Sequence, residues 1–222
     1  MRELVITIDG PAGAGKSTVA RELARRLGLR LVDTGAMYRA LAWAVRRAGL
    51  PAQDSPELRA LLDRTAVTLT DDRVLVDGLD VTGEIRTPEI SELTSALSAL
   101  RPVRDKATPL QRAMAADGGA VLEGRDTGSV VYPQADVKFY LDAGLEARAR
   151  RRHAELRARG TPADLDVVRD EVTRRDRQDT QRALAPTVVP AGAIVIDSSD
   201  LSSDEVVERL VHEVKRVAVA EP

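Results

Sequence analysis

The chain has 222 residues, of which 43% are hydrophobic and 31% are charged, and its formal net charge is −2. Such a length and composition are typical of one globular α/β domain with an insertion or two, and they exclude disordered and fibrous classes. The small net charge gives no overall basic field for nucleic acid, and an aromatic content of 2% disfavours stacking of single-stranded bases. The absence of cysteine excludes disulfides, thiolate zinc sites and cysteine nucleophiles.

The N-terminal sequence does not resemble a targeting segment. It lacks the basic region and long apolar run of a secretory signal, and no apolar run in the chain reaches the length of a membrane span. We therefore expect a soluble, cytoplasmic protein that binds neither membranes nor nucleic acid. We also expect it to be a monomer.

Strands and helices alternate along the first half of the chain. A short apolar run ends at Asp9, and the helix after it carries Val19, Leu23 and Leu27 on one face before Gly28 ends it. A helical break is expected at Arg101-Pro102. The elements predicted in this half are strands over 4–8 and 29–32, a helix ending at Gly28, and helices over 37–49, 51–62 and 88–117.

Residues 67–87 follow a different pattern from their helical flanks. Apolar residues recur mostly at every second position, as in Val67, Leu69, Val74 and Val76. Turn residues interrupt this pattern at Asp71-Asp72 and again at Asp77-Gly78. The segment therefore predicts a small β-meander that does not belong to the main sheet.

The second half of the chain continues the alternation. Strands are predicted over 120–122, 137–141 and 194–196, and two highly charged helices lie between residues 143 and 182. Pro162 suits the first position of the second of these helices, with Thr161 as its cap. Ser202 and Glu205 form a capping-box pattern before a last amphipathic helix. This alternation predicts an α/β fold with a doubly wound, five-stranded parallel sheet and helices on both faces.

A phosphate-binding motif lies between the first strand and the first helix. Residues 10–17 fit the pattern G-x-x-x-x-G-K-[ST], whose glycines let backbone N–H groups approach phosphate oxygens. The Lys16 ammonium would reach the β and γ phosphates, and the Ser17 hydroxyl would bind Mg²⁺. The predicted ATP-binding residues are Gly10, Pro11, Ala12, Gly13, Ala14, Gly15, Lys16, Ser17 and Thr18.

The motif indicates a nucleoside triphosphate, and the remaining sequence narrows the reaction. A guanine-reading Asn-Lys-x-Asp tetrapeptide is absent, so a compact kinase fits better than a GTPase. A kinase needs polar groups for its acceptor at the carboxyl ends of the parallel strands. Clusters suited to this role lie in Asp33–Arg39, Gly83–Thr87 and Glu123–Asp126, together with Ser95 and Arg104.

Five segments of the chain occur in a characteristic order and spacing: IDGPAGAGKST, DTGAMYR, GEIRTPE, EGRDTGSVVYP and RRDRQDTQRALAP. Together they resemble the motifs of one known family, the bacterial cytidylate kinases. The chain resembles this family of nucleoside monophosphate kinases from about residue 4 to residue 197. The resemblance implies a P-loop NTPase fold and phosphorylation of CMP and dCMP with ATP and Mg²⁺. It also implies a core of residues 1–34, 118–147 and 184–222, an NMP-binding insertion over 35–117 that contains the meander, and a helical lid over 148–183.

The resemblance also implies roles for individual residues. Arg39 and Arg125 would bind the CMP phosphate, and Asp179 would hold the ribose hydroxyls. The residues implied to bind CMP are Thr34, Tyr38, Arg39, Arg86, Ser95, Arg104, Arg125, Asp126, Arg175, Asp179 and Arg182. The residues implied to act in catalysis are Lys16, Arg125, Arg151 and Arg182.

The chemistry of cytosine agrees with two of these implied roles. A carboxylate at Asp126 can accept the N4 proton of cytosine, and Arg104 can donate to its N3 or O2. Uracil would place an acceptor against the same carboxylate and leave buried polar groups unpaired. The chain departs from some relatives in carrying Thr34 instead of Ser, and Gln178 and Thr180 instead of further arginines.

Arginines crowd both helices of the predicted lid. Many of them belong to solvated faces, but Asp and Glu do not interleave well over residues 148–152. We expect Arg151 to contact the donor phosphates, with Arg148 or Arg152 as substitutes. The two arginine sets are Arg148, Arg150, Arg151, Arg152, Arg157 and Arg159 in the first helix, and Arg169, Arg174, Arg175, Arg177 and Arg182 in the second.

Two alternatives and one ambiguous residue stay open at the level of sequence. The chain could be a P-loop kinase for another small acceptor such as UMP, AMP or shikimate. It could also be a P-loop binding or switch protein whose lid docks a macromolecule. Asp9, directly before the phosphate-binding loop, could assist the metal or cap the end of its strand.

Overall fold

The architecture was obtained as a computed structural model, which describes residues 4–70, 72–158 and 160–220. The predicted turn residue Asp71 and the predicted lid residue Arg159 lie outside the described residues. The strands are β1 (Val5–Asp9), β2 (Arg30–Asp33), β3 (Val67–Leu69), β4 (Val74–Val76), β5 (Leu79–Asp80), β6 (Ala120–Glu123), β7 (Val137–Asp142) and β8 (Ile194–Asp197). The helices are α1 (Lys16–Leu27), α2 (Thr34–Arg47), α3 (Pro56–Arg64), α4 (Pro88–Leu97), α5 (Arg101–Met114), α6 (Leu145–Ala158), α7 (Leu165–Gln181) and α8 (Ser203–Ala220).

The main sheet has five parallel strands in the order β2-β6-β1-β7-β8. All five residues of the central strand β1 are buried, as expected for a parallel strand that is covered on both faces. The α1 and α8 helices cover one face of the sheet, where Val19, Leu23 and Leu210 join a common core. The end of α5 and a π-helical turn over Thr127–Val131 pack against the other face. The predicted five-stranded α/β fold is confirmed.

Helices α2 to α5 and the meander form a second core beside the main sheet. Strands β3, β4 and β5 make a three-stranded antiparallel sheet, as the alternation of residues 67–87 predicts. This small sheet packs mainly on α2, through buried residues such as Val74 and Val76. The chain then enters a 3₁₀ turn over Glu84–Arg86, which the Trp43 indole fixes by donating a hydrogen bond to Glu84 at 2.7 Å. Helix α2 therefore holds the segment that carries Arg86.

The predicted start of the second lid helix is wrong. Thr161 does not cap α7, because its backbone N–H bonds the Leu156 carbonyl at 3.0 Å and so closes the end of α6. Gly160, at φ +71°, makes that ending possible. The α7 cap is Asp164, whose carboxylate accepts the backbone N–H groups of Asp166 and Val167.

Two other predicted helices have different starts. The helix α2 begins at Thr34 instead of residue 37, because the Asp33 side chain caps it by accepting the Ala36 N–H at 2.8 Å. The helix predicted over 51–62 begins only at Pro56, with Ser55 as its cap. The predicted break at Arg101-Pro102 is confirmed, since α4 ends at Leu97 and α5 begins at Arg101.

Candidate active site

The loop between β1 and α1 has the backbone conformation of a phosphate cradle. Gly13 and Gly15 adopt φ values of +77° and +89°, which side chains with a Cβ rarely accept. A Cβ on Gly10 would lie 2.0 Å from the Leu141 carbonyl oxygen, so only glycine fits against β7. The loop leads directly into the N-terminus of α1, whose free N–H groups and positive dipole end favour an anion.

Lys16 is buried within this loop. Its ammonium donates a hydrogen bond to the Pro11 carbonyl at 2.6 Å. Burial, followed by the positive charge of Arg125, lowers the pKa of Lys16 well below its ordinary value. An anion in the loop would therefore stabilise the charged form of this side chain.

Glu123, at the carboxyl end of β6, faces the same loop from the neighbouring strand. It is buried, and its Oε2 accepts the Ser17 hydroxyl at 2.9 Å. Within the described ranges of the chain, no group lies within hydrogen-bond distance of its other oxygen, Oε1. Burial, followed by the negative charge of Asp33, raises the pKa of Glu123 to about 7. Such a pair of oxygens, one of them unpartnered, is suited to a hard cation.

Arginines from four parts of the chain converge beside the loop. Burial lowers the pKa of Arg39 to about 10 and that of Arg175 to about 9, and the nearby positive charges of Arg125 and Arg152 act in the same direction. The Asp179 carboxylate lies among them and accepts the Arg125 Nε–H at 3.0 Å. Such a group of buried arginines is suited to binding phosphate groups, whose negative charges would pair with the guanidinium groups.

Asp179 links three of the arginines that line the cleft. Besides its hydrogen bond with Arg125, its carboxylate lies 3.9 Å from Arg175 Nε and 4.0 Å from Arg182 Nη1. Burial acts to raise the pKa of Asp179, but these three positive charges outweigh it and lower the pKa. Asp179 is therefore an ionised acceptor near the end of α7.

A second group of charges forms what we call the Asp126 clamp, made of Arg104, Asp126 and Arg182. All three side chains are buried, and one Asp126 oxygen pairs with Arg104 Nη2 while the other lies 3.2 Å from Arg182 Nη2. Ser98 joins the clamp by accepting from Arg104 through its carbonyl at 3.1 Å and from Arg182 through its hydroxyl at 3.3 Å. The clamp presents a fixed carboxylate with guanidinium groups on both sides, which is a pattern suited to reading a polar ring edge.

One cleft of about 870 Å³ joins the loop, the arginines and Asp126. This volume lies in the range of small-molecule sites. Direct contacts cross the cleft between α4 and α7, where Ser95 donates to the Gln178 side chain at 2.9 Å and Arg174 pairs with Glu92 at 2.6 Å. The predicted site residues that line the cleft are Ala12, Gly13, Ala14, Gly15, Lys16, Ser17, Thr18, Thr34, Tyr38, Arg39, Arg86, Ser95, Arg125, Asp126, Arg151, Arg175, Asp179 and Arg182.

Comparison with known proteins shows to which family the chain belongs. Residues 6–216 match the family described as cytidylate kinase. A cytidylate kinase of Symbiobacterium thermophilum is 50% identical, with 97% of both chains covered, and one of Geobacter sulfurreducens is 48% identical, with 94% of this chain and 91% of the relative covered.

The chain belongs to the cytidylate kinase family. The resemblance inferred from its five motifs is therefore confirmed, and so is the prediction of an enzyme of the kinase class. Solved structures agree on the fold alone. The TT1252 protein of Thermus thermophilus superposes with a TM-score of 0.50 at 23% identity over 97% of this chain and 98% of its own. An uncharacterized protein of Eubacterium ventriosum superposes with a TM-score of 0.54 at 11% identity over 96% and 99% of the two chains.

The predicted acceptor residues of this family member are held by further contacts, and Arg104 lies behind the cleft lining, beside Asp126 and Tyr38. The Thr34 hydroxyl donates to the Glu123 carbonyl at 2.6 Å, and Arg86 lies 3.7 Å from the Asp33 carboxylate. The Arg39 guanidinium donates to the Ser91 hydroxyl at 2.6 Å. The Arg104 guanidinium also stacks 5.7 Å from the centre of the Tyr38 ring, as in a cation–π contact.

The three arginines proposed for the donor phosphates lie in different surroundings. Arg148 is buried and donates to the carbonyls of Ala143 and Ala12, at 2.8 and 3.1 Å, and pairs with Asp176. It therefore ties α6 and α7 to the phosphate-binding loop. Arg151 donates to the Ser198 hydroxyl at 3.0 Å, whereas Arg152 pairs with Glu155 at 2.8 Å and adds its charge to the arginines around Asp179.

Several residues of the site were not predicted from the sequence. Glu123 belongs to a recognised motif, but its contact with Ser17 joins positions 106 residues apart. Asp176 stabilises Arg148, and it also accepts the Ala12 N–H at 3.4 Å.

No group of three His, Cys, Asp or Glu side chains able to bind a metal occurs among the described residues. Of the helices in the described ranges, none has the length and apolar character needed to span a membrane.

Proposed function

We propose that this protein transfers a phosphoryl group from ATP to CMP or dCMP. The observation that carries the proposal is the Asp126 clamp, which shares one cleft with the phosphate-binding loop. Each carboxylate oxygen has two lone pairs, so Asp126 can accept the cytosine N4 proton while it stays paired with the two arginines. Uracil would place its O4 acceptor there, and the buried mismatch would disfavour UMP.

The cations beside the clamp support the roles proposed for phosphate binding. Arg39 and Arg125 hold the CMP phosphate, and Lys16 holds the β and γ phosphates of ATP. Lys16, Arg125, Arg151 and Arg182 stabilise the charge of the transferring group. Arg152 and Arg175 add positive charge to the same buried cluster. A CMP phosphate oxygen attacks the γ-phosphorus in line while the bond from that phosphorus to the bridging β–γ oxygen breaks, so that CDP forms and ADP leaves. The attacking oxygen needs no general base because it is already an anion.

Other contacts support a donor side, a ribose site and two moving parts. Ser198, the partner of Arg151, lies 3.3 Å from the Ala14 carbonyl of the phosphate-binding loop, which supports Arg151 as a donor-side residue. Asp179 holds the ribose hydroxyls. We propose the core as residues 1–34, 118–147 and 184–222, the NMP-binding insertion as 35–117, and the lid as 148–183. Closure of the lid excludes water and so limits hydrolysis of ATP.

The residues at the end of β6 fit a magnesium ion. Glu123 has a buried oxygen with no hydrogen-bond partner among the described residues, and its other oxygen accepts the Ser17 hydroxyl. Oxygen ligands of this kind are the ones Mg²⁺ prefers, and substrate phosphates complete such sites. We propose that Ser17 and Glu123 hold the ion together with the ATP phosphates. When bound, Mg²⁺ would neutralise phosphate charge.

The test is formation of CDP from ATP and CMP in the presence of Mg²⁺, against a panel of CMP, dCMP, UMP, AMP and shikimate. We expect CMP and dCMP to react fastest. Faster turnover of UMP, AMP or shikimate would contradict the acceptor assignment. Rapid hydrolysis of ATP that does not depend on CMP, without CDP, would favour a binding or switch protein.

Lys16→Met tests the phosphate cradle in the same assay. This variant should keep the fold, because Met preserves most of the buried volume, and should lose most of kcat. Circular dichroism and a thermal melt check the fold, and the CDP assay measures kcat. Turnover near that of the wild type would contradict the role of Lys16 in the phosphate cradle.

A further inference from the structure

The turn that follows the Asp126 clamp begins with backbone N–H groups that have no acceptor within the turn itself. Residues Thr127–Val131 form a single π-helical turn, and Asp126 is the residue that precedes it. The first N–H groups of a helical turn have no partner within the turn and need an acceptor from elsewhere. An aspartate directly before such a turn commonly supplies this acceptor from its own side chain.

Asp126 does not cap this turn. In the described part of the chain, its carboxylate is paired instead with Arg104 and Arg182. The cap comes from Asp9, which lies 117 positions earlier on the neighbouring strand β1. Its Oδ1 accepts both the N–H and the hydroxyl of Thr127, each at 2.7 Å, and its Oδ2 accepts the Gly128 N–H at 2.7 Å.

The packing around these bonds leaves little room for another arrangement. Asp9 is fully buried. A Cβ on Gly128 would lie 2.7 Å from the Thr7 hydroxyl and 3.3 Å from Asp9 Oδ2, so the turn approaches β1 as closely as glycine allows. With three donors on its two oxygens, Asp9 is occupied by the turn, which favours the capping alternative over a role as a metal ligand.

We propose that Asp9 is a positioning residue for base recognition, because it supplies the helical cap that Asp126 would otherwise provide. The Asp126 carboxylate is thereby free to face Arg104, Arg182 and the cytosine ring. This inference rests on the proposed function, in which Asp126 reads the base.

The test is Asp9→Asn, which keeps the shape of the side chain but replaces one acceptor oxygen by an N–H₂ group. That amide would face a backbone donor, so the turn would draw the Asp126 carboxylate toward the vacant N–H groups. We expect kcat/KM for CMP to fall about tenfold, and the ratio of kcat/KM for CMP over UMP to fall with it. The KM for ATP should stay within about twofold of the wild-type value.

Two further variants make the result specific. Thr127→Val removes one of the three donors to Asp9 and leaves Asp9 itself intact. It should lower the ratio of kcat/KM for CMP over UMP by a smaller factor than Asp9→Asn does. If Asp9→Asn does not fold, Thr127→Val tests the positioning role of Asp9. Thr7→Val is the matched control, because this buried neighbour in β1 has a hydroxyl that contacts no described hydrogen-bond partner. It should leave the CMP-over-UMP ratio unchanged.

The outcomes separate this inference from the proposed function. Asp126→Asn should abolish the preference for CMP, and an unchanged preference in that variant would overturn the proposed function itself. If Asp126→Asn loses the preference while folded Asp9→Asn and Thr127→Val keep it, the positioning role of Asp9 is overturned. Equal losses in Thr7→Val and Thr127→Val would also overturn it, because the effect would then follow packing alone.

Discussion

Replacing Glu123 with Gln should stabilise the nucleotide-free protein above neutral pH. Burial and the charge of Asp33 raise the pKa of Glu123 to about 7 in the folded state, from an ordinary value of 4.5. The folded state therefore binds this proton more tightly than the unfolded chain does. The resulting stability is fully present below about pH 4.5 and is lost as the pH rises through about 7. The difference between the two pKa values corresponds to about 3 kcal/mol.

The assay is urea unfolding of both proteins in EDTA at intervals from about pH 4.5 to about pH 8. The free energy of unfolding of the wild type, minus that of Glu123→Gln, should fall by about 3 kcal/mol across this range. Burial also raises the pKa of Asp9, but Asp9 titrates in both proteins and largely cancels in the difference. A difference that stays constant with pH would refute the raised pKa and the electrostatic reasoning behind the metal site.

Two further substitutions test contacts that hold the site in place. Arg148→Met should lower the free energy of unfolding by about 3 kcal/mol, because Asp176 and the loop carbonyl lose a buried donor; an unchanged urea midpoint would contradict this. Trp43→Phe should cost about 1 kcal/mol through loss of the hydrogen bond to Glu84, and should raise the KM for CMP by loosening the turn before α4. Unfolding and steady-state kinetics measure both effects, and an unaltered KM would show that this turn does not serve the acceptor.

The fold was predictable wherever local sequence and tertiary packing point the same way. The short apolar run of β1 ends at Asp9 before a glycine-rich loop, so both its burial and its place in a parallel sheet follow from the sequence. Ser202 and Glu205 do form their capping box: the Ser202 N–H donates to the Glu205 carboxylate at 2.8 Å, and the Ser202 hydroxyl accepts the Glu205 N–H at 3.3 Å. The α7 start was not predictable in this way, because Thr161 and Asp164 both suit a cap. The ending of α6 decided between them.

In the candidate site, residues within local motifs were predictable from the sequence, whereas contacts between distant positions were not. The phosphate cradle and the arginines after it lie in motifs whose chemistry is visible in the sequence. The contact between Glu123 and Ser17 and the cap from Asp9 to Thr127 join distant positions, and only the sheet order β6-β1 brings them together. Sequence reasoning treated Glu123 as part of a cluster and left Asp9 undecided for this reason. A carboxylate at the end of each of two adjacent parallel strands was the signal that could have found both.

The cleft contains buried cations that lower the stability of the nucleotide-free protein. Burial lowers the pKa values of Lys16, Arg39 and Arg175, so the protein holds these cations at a cost in stability. A core selected only for stability would replace them with apolar side chains. In the proposed function, the phosphate groups of ATP and CMP pair with these buried cations. The buried charge that weakens the nucleotide-free protein would then be the source of its affinity for phosphates and of the stabilisation of the transferring group.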